Sequence, residues 1–172
     1  METRRTFLIA AAGMPLAARA AWAKGYSNAA LLRCTMSLGK PALGLDGDFT
    51  IVCALEARLK FVRLYAPLEW GNVRGFRLKL AAADGKTSEP QFHPPVAPPA
   101  DYDSAHFREL DVGEQASFRS TLQVRSVFPG PGTFKLSAIY LPEPLRAATH
   151  VQDAVVFEDG PVESGAVLVK VA

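Results

Sequence analysis

Cysteine, methionine and histidine are scarce in this chain: two, three and three in 172 residues. Two cysteines exclude a cysteine-rich scaffold. The three histidines, His93, His106 and His150, lack the close pairing of zinc or non-haem iron sites. Neither sign of charge dominates, with 19 Lys and Arg against 17 Asp and Glu for a net charge of +2. A chain this neutral has no long-range pull on phosphate backbones or anionic lipid, so nucleic acid is not expected as a partner. No Gly-x-Ser-x-Gly elbow occurs. The cluster Asp103-Ser104-Ala105-His106 is too compact for a catalytic triad, whose members come from separate elements. No catalytic residue, metal or cofactor is therefore expected. Helical periodicity is missing as well, and the Ala-rich window 145–150 amounts to a turn or two at most.

What is present begins with an address. Met1 and Glu2 lead into Thr3-Arg4-Arg5-Thr6-Phe7-Leu8 and then an Ala-rich apolar run to about Leu16. The run is about half of the ~20 residues that span a bilayer, so it is no anchor. A charged start, a short apolar centre and small residues before a cut site are the three parts of a signal peptide. Arg4, Arg5, Phe7 and Leu8 resemble the twin-arginine export motif, and Arg19 before the cut site fits the same route. Ala21-Trp22-Ala23 supplies the small-x-small cleavage site, with Ala18-Arg19-Ala20 as a second one. The expected division is an export signal over 1–23 and one domain over 24–172, delivered to the periplasm or secreted. No integral membrane segment is expected after processing. Because Arg4, Arg5 and Arg19 leave with the signal against Glu2 alone, the remaining domain is close to neutral.

Within 24–172 the dominant signal is period-two alternation, the mark of half-buried strands. Leu32, Cys34, Met36 and Leu38 share one face. After the turn Gly44-Leu45-Asp46-Gly47-Asp48, the apolar set is Phe49, Ile51, Cys53, Leu55, Ala57 and Leu59. Folding these segments about the Asp-Gly turn places Cys34 opposite a residue near Cys53, which makes a cross-strand disulfide the expectation. In the chain-entropy picture it would be worth about 3 kcal/mol. The phase is lost near Phe61 and Val62, predicting a bulge or bend. Phe76, Leu78 and Leu80 alternate up to a turn at Asp84-Gly85-Lys86, and Phe107 to Leu110 add a short strand. Ala116, Phe118, Ser120, Leu122 and Val124 form a further face, as do Phe134, Leu136, Ala138 and Tyr140, then Val167, Val169 and Val171. Residues 89–103 are proline-rich and predict an irregular loop. Seven or eight such strands between Gly, Pro and Asp turns predict an all-β fold, two antiparallel sheets stacked as a sandwich.

Three motifs add a resemblance. Gly113-Glu114, the run Phe128-Pro129-Gly130-Pro131-Gly132-Thr133-Phe134, and Gly160-Pro161-Val162-Glu163-Ser164 before the Val-rich end look like the second half of bacterial immunoglobulin-like modules. There a Gly-Glu turn opens one strand and a Pro-Gly-Thr-aromatic turn opens the next. Proline fixes φ, glycine turns the corner and the aromatic pins the new strand. The likeness implies an immunoglobulin-like sandwich and, because such modules serve many ends, no activity.

Function is therefore sought in loops and sheet edges. His93, Tyr102, His106 and Trp70 are the loop-binding candidates; Trp70, Tyr65, Tyr102 and Phe92 read as a face on which a sugar stacks, with Trp70 as a cap on the core the alternative. Asp46-Gly47-Asp48 opens like a calcium loop but lacks the later acidic ligands. The stiff segment 94–99 reads either as a partner-docking strap or as a spacer bridging the two sheets. The expectation is an exported, non-catalytic binding or accessory module of the cell envelope, whose partner is another envelope protein or an unidentified ligand. The alternatives are a proteinase inhibitor, whose sandwich domains have similar turns, and a periplasmic copper carrier using soft donors such as Cys34 and Met36.

Overall fold

Alternation in the sequence becomes alternation in burial. The computed structural model describes residues 28–59, 62–65, 68–71, 74–94, 106–142 and 160–172. Residues 1–23, where an export signal is expected, with Arg4, Arg5, Phe7, Leu8, Ala21 and Ala23, lie outside the described residues, as do Tyr102 and His150. Among the described residues, no helix is long and apolar enough to cross a membrane.

The chain is all-β with a sandwich-like arrangement. The smaller sheet has the order β1 (Leu32–Leu38), β3 (Asp48–Ala57), β8 (Gln115–Gln123). The larger runs β2 (Ala42–Leu43), β11 (Val167–Val171), β9 (Gly132–Leu141), β5 (Gly75–Ala82), β6 (Thr87–Ser88), with β10 (Val162–Glu163) also paired to β9. A third pair joins β4 (Val62–Tyr65) to β7 (Phe107–Leu110). Single helical turns α1 (Asn28–Leu31) and α2 (Val124–Val127) precede β1 and follow β8. Val124, expected to end a strand, instead opens α2, where Phe128 N–H donates to its carbonyl at 2.9 Å.

The inner faces of both sheets meet in one core. Ile51, Cys53 and Leu55 of β3 join Phe76 and Leu78 of β5 and Leu136 and Ala138 of β9, each at most 1% exposed. Phe76 stacks on Phe118 with centroids 5.8 Å apart and 8° between planes, a direct contact between the sheets. Burying each of the Ile, Leu and Phe side chains contributes about 1.5–3 kcal/mol.

Two features differ from the sequence expectation. The segment after β1 is not a tight hairpin: β2 leaves the smaller sheet and pairs parallel with β11, Lys170 against Ala42 and Val171 against Leu43. The architecture is thus not wholly antiparallel. Antiparallel pairing of β1 with β3 sets Cys34 opposite Leu55, close to Cys53 as expected, and Cys53 opposite Met36. The expected disulfide is not formed, and both cysteines are free and buried. They are diagonal neighbours, for which separations of about 7–8 Å are usual, past the Cα reach of a bridge.

The motif turns do what their residues dictate. Gly113, at φ +81°, sends its N–H to Ala57 O at 2.8 Å while Ala57 N–H returns to Glu114 O at 3.1 Å. The Glu114 carboxylate accepts from Asp111 N–H at 3.2 Å and from Arg108, which hold it below the usual carboxylate range. Farther on, Ser164 bridges the break between β10 and β11. Its Oγ accepts Ala138 N–H at 2.9 Å and its own N–H donates to Ala138 O at 2.9 Å.

Candidate functional site

The side of the sandwich beside β8 gathers most of the described candidates. Trp70 is 9% exposed and meets Phe118, Phe92 and Phe76 edge-on at 5.2, 5.0 and 6.4 Å. Its Nε1–H donates to Ser120 Oγ on β8 at 3.0 Å. His93 continues the chain of rings at 5.2 Å from Phe92, with Nδ1 2.9 Å from Pro94 O. Trp70 is therefore a wedge under β8, and its ring faces are not presented to solvent as a stacking platform.

A tight backbone turn seats this wedge. Phe76 N–H donates to Glu69 O at 2.8 Å and Gly71 N–H to Phe76 O at 2.9 Å, so residues 69–71 run alongside β5. A Cβ on Gly71 would lie 2.0 Å from Arg74 O. One on Gly75, where φ is +82°, would lie 2.5 Å from Glu69 O. Only glycine allows the approach at both places. The same turn buries Arg74 to 6% exposure, with its guanidinium 4.2 Å from the Tyr65 ring centroid and Nη2 donating to Glu69 Oε1 at 3.1 Å. His106 and Phe107 pack on Tyr65 at 6.1 and 5.8 Å. Arg74 was not legible as a member of this group, because a lone arginine before a glycine reads as a surface charge.

β8 itself is an edge strand. The bonds Ala57 N–H to Glu114 O and Val124 N–H to Gly47 O, at 3.1 and 2.9 Å, flank the β3–β8 ladder and fix its phase. The even residues of β8 bond to β3, because antiparallel partners alternate between bonded and unbonded pairs. The N–H and C=O of Gln115, Ser117, Arg119, Thr121 and Gln123 therefore point away from β3, and all five residues are exposed. Among the described residues, no other strand pairs with that edge.

The sulfur-bearing residues sit elsewhere. Cys34, Met36 and Cys53 share the inner face of β1 and β3, the thiols 5% and 0% exposed. Burial pushes both thiols from 9.0 up to about 12, with the neighbouring Cys34 adding to the effect on Cys53. A thiol so far above neutrality is a core group, unreactive until exposed. The other acidic motif is also committed: Asp46 receives Arg125 Nε–H, which holds its carboxyl below the usual range. Among the described residues no group of three or more His, Cys, Asp or Glu converges. The structure thus brings Trp70 and His93 into one chain of rings and sets His106 against Tyr65, while Tyr102 and residues 95–99 lie outside the described residues. Phe118 and Ser120, which tie Trp70 to β8, read from sequence only as core positions.

No protein-family model and no curated protein matches this chain. Among solved structures, one described as "Crystal structure of the C-terminal domain of wzt" is similar at 9% identity, covering 86% of this chain and 76% of its own, with a TM-score of 0.43. A likeness at that level carries no argument about what this chain does.

Proposed function

We propose that this chain is an exported, non-catalytic binding module of the cell envelope that engages a partner protein through the β8 side of its sandwich. The observation that carries the reading is the β8 edge: nine residues in unbroken register, backed from inside by the Trp70 wedge. An edge so regular is a template for another chain. The immunoglobulin-like turns and the twin-arginine-like start support an address outside the cytoplasm and a fold used for binding.

Cell fractionation combined with site-specific photocrosslinking tests this. A photoreactive residue at Thr121 is expected to yield an adduct in the envelope fraction, and one at Lys135, on the outer face of the other sheet, none. Retention of the chain in the cytosol, or recovery as a free monomer with no adduct from Thr121, would overturn the proposal.

A further inference from the structure

We infer that the edge of β8 accepts an extended acidic segment of another polypeptide as an added strand, with a carboxylate set against Arg119. This rests on the binding-module reading and names the partner's chemistry.

The edges of the two main sheets differ in how they are finished. β2 and β6, at the ends of the larger sheet, have two residues each. The flank of β5 is occupied by residues 69–71 at Phe76 and by the Arg77–Glu89 ion pair at 2.9 Å. β1 lies beside β9 and β10. Short strands and covered flanks are the ordinary ways of preventing edge-to-edge pairing. β8 has neither. It contains no proline, its register over Gln115–Gln123 has no bulge, and its one charged side chain is Arg119, at the centre. Five outward residues offer an N–H and a C=O each at alternate positions, the pattern that an incoming strand matches.

Charge selects the occupant. Arg119 is exposed, and no ion pair is formed with it among the described residues, whereas Arg33, Arg63, Arg74, Arg77, Arg108 and Arg125 each hold a carboxylate. A second copy pairing antiparallel along the full length of β8 would set Arg119 against itself, and like charges directly opposite are destabilising. An extended segment with Asp or Glu at its centre makes the opposite-charge pair instead. The outward side chains around Arg119, Ser117 and Thr121, are short and polar and favour a Thr- or Ser-rich strand over an apolar one.

The experiment uses a synthetic peptide of the length of β8, alternating Thr and Val about a central Glu, titrated onto the purified protein by calorimetry. Binding is expected, weakened about tenfold when the central Glu is replaced by Lys or when the protein carries Arg119→Glu. N-methylation of the peptide's residues in phase with Glu is expected to abolish binding, because those amides face β8. Thr121→Pro is expected to abolish it too. That position's N–H points away from β3, so the β3–β8 ladder survives, and an unchanged circular dichroism spectrum and melting temperature verify that the variant folds.

No binding of the Glu peptide, or equal binding of the Glu and Lys peptides, would overturn the acidic-strand inference. So would a dimer on sizing that Thr121→Pro converts to monomer, since the occupant would then be a second copy. In those cases a persisting Thr121 crosslink to an envelope protein would leave the binding-module reading standing. Loss of the crosslink as well would remove both.

Discussion

At the scale of single residues, the two thiols make the most direct test. Cys34 and Cys53 are buried and free, and each is pushed up to about 12. In the unfolded chain they ionise near their ordinary value, so the unfolded state holds fewer protons once the pH exceeds it. Stability is therefore fully present below about pH 9 and is progressively lost as pH rises towards 12. Denaturant melts across that range are expected to show this decline, and Cys34→Ala with Cys53→Ala to flatten it. Native protein is expected to react slowly with a thiol reagent at pH 8, and denatured protein to release both thiols at once without reductant. Prompt labelling of the native state, or no thiols on denaturation, would contradict the burial or the free state. Phe76 gives a second residue-scale prediction. It is fully buried among Trp70, Phe118 and Tyr140, so Phe76→Ala is expected to cost about 3–5 kcal/mol in a urea melt.

At the scale of elements, most of what was legible came from side-chain phase. The faces Phe49–Ala57 and Phe134–Tyr140 could be read because burial in a two-layer fold repeats with the strand's own period of two. The Gly113-Glu114 turn could be read because only its residue types permit it. The strands β2, β6 and β10 could not, since two residues carry no period. The candidate site was legible in part. Trp70 stands out by type, but its anchoring to Ser120 depends on how the backbone bonds of Glu69 and Gly71 to Phe76 seat it under β8, which single residues do not show. That seating is testable: Gly75→Ala forces a Cβ towards Glu69 O at positive φ, and is expected to cost about 1–3 kcal/mol and redshift Trp70 fluorescence as the wedge loosens. Ser164→Ala removes a buried acceptor from Ala138 N–H and is expected to cost about 1–3 kcal/mol, measured in the same melt. An unchanged melting temperature for either variant would show that the junction is unstressed.

For the whole molecule, the proposals of export and binding converge on one requirement. A twin-arginine route carries folded cargo, so the sandwich would be complete, and β8 already an open edge, before the chain meets its partner outside. Replacing Arg4 and Arg5 together with lysine is expected to trap a precursor retaining residues 1–23 in the cytosol, seen by immunoblot of fractions. N-terminal sequencing of the exported form is expected to begin at Lys24.

The place of β11 in the larger sheet has a consequence for how the chain is made. It lies between β2, which follows the first long strand, and β9, so each depends on the same late segment for a neighbour. Ala172 N–H donates to Leu43 O at 2.9 Å, and Leu45 N–H to Ala172 O at 3.0 Å, fastening that closure. While residues 167–172 are still inside the ribosomal tunnel, the emerging polypeptide has a slot it cannot fill. Its hydrophobic interior stays accessible to chaperones until that segment has left the tunnel.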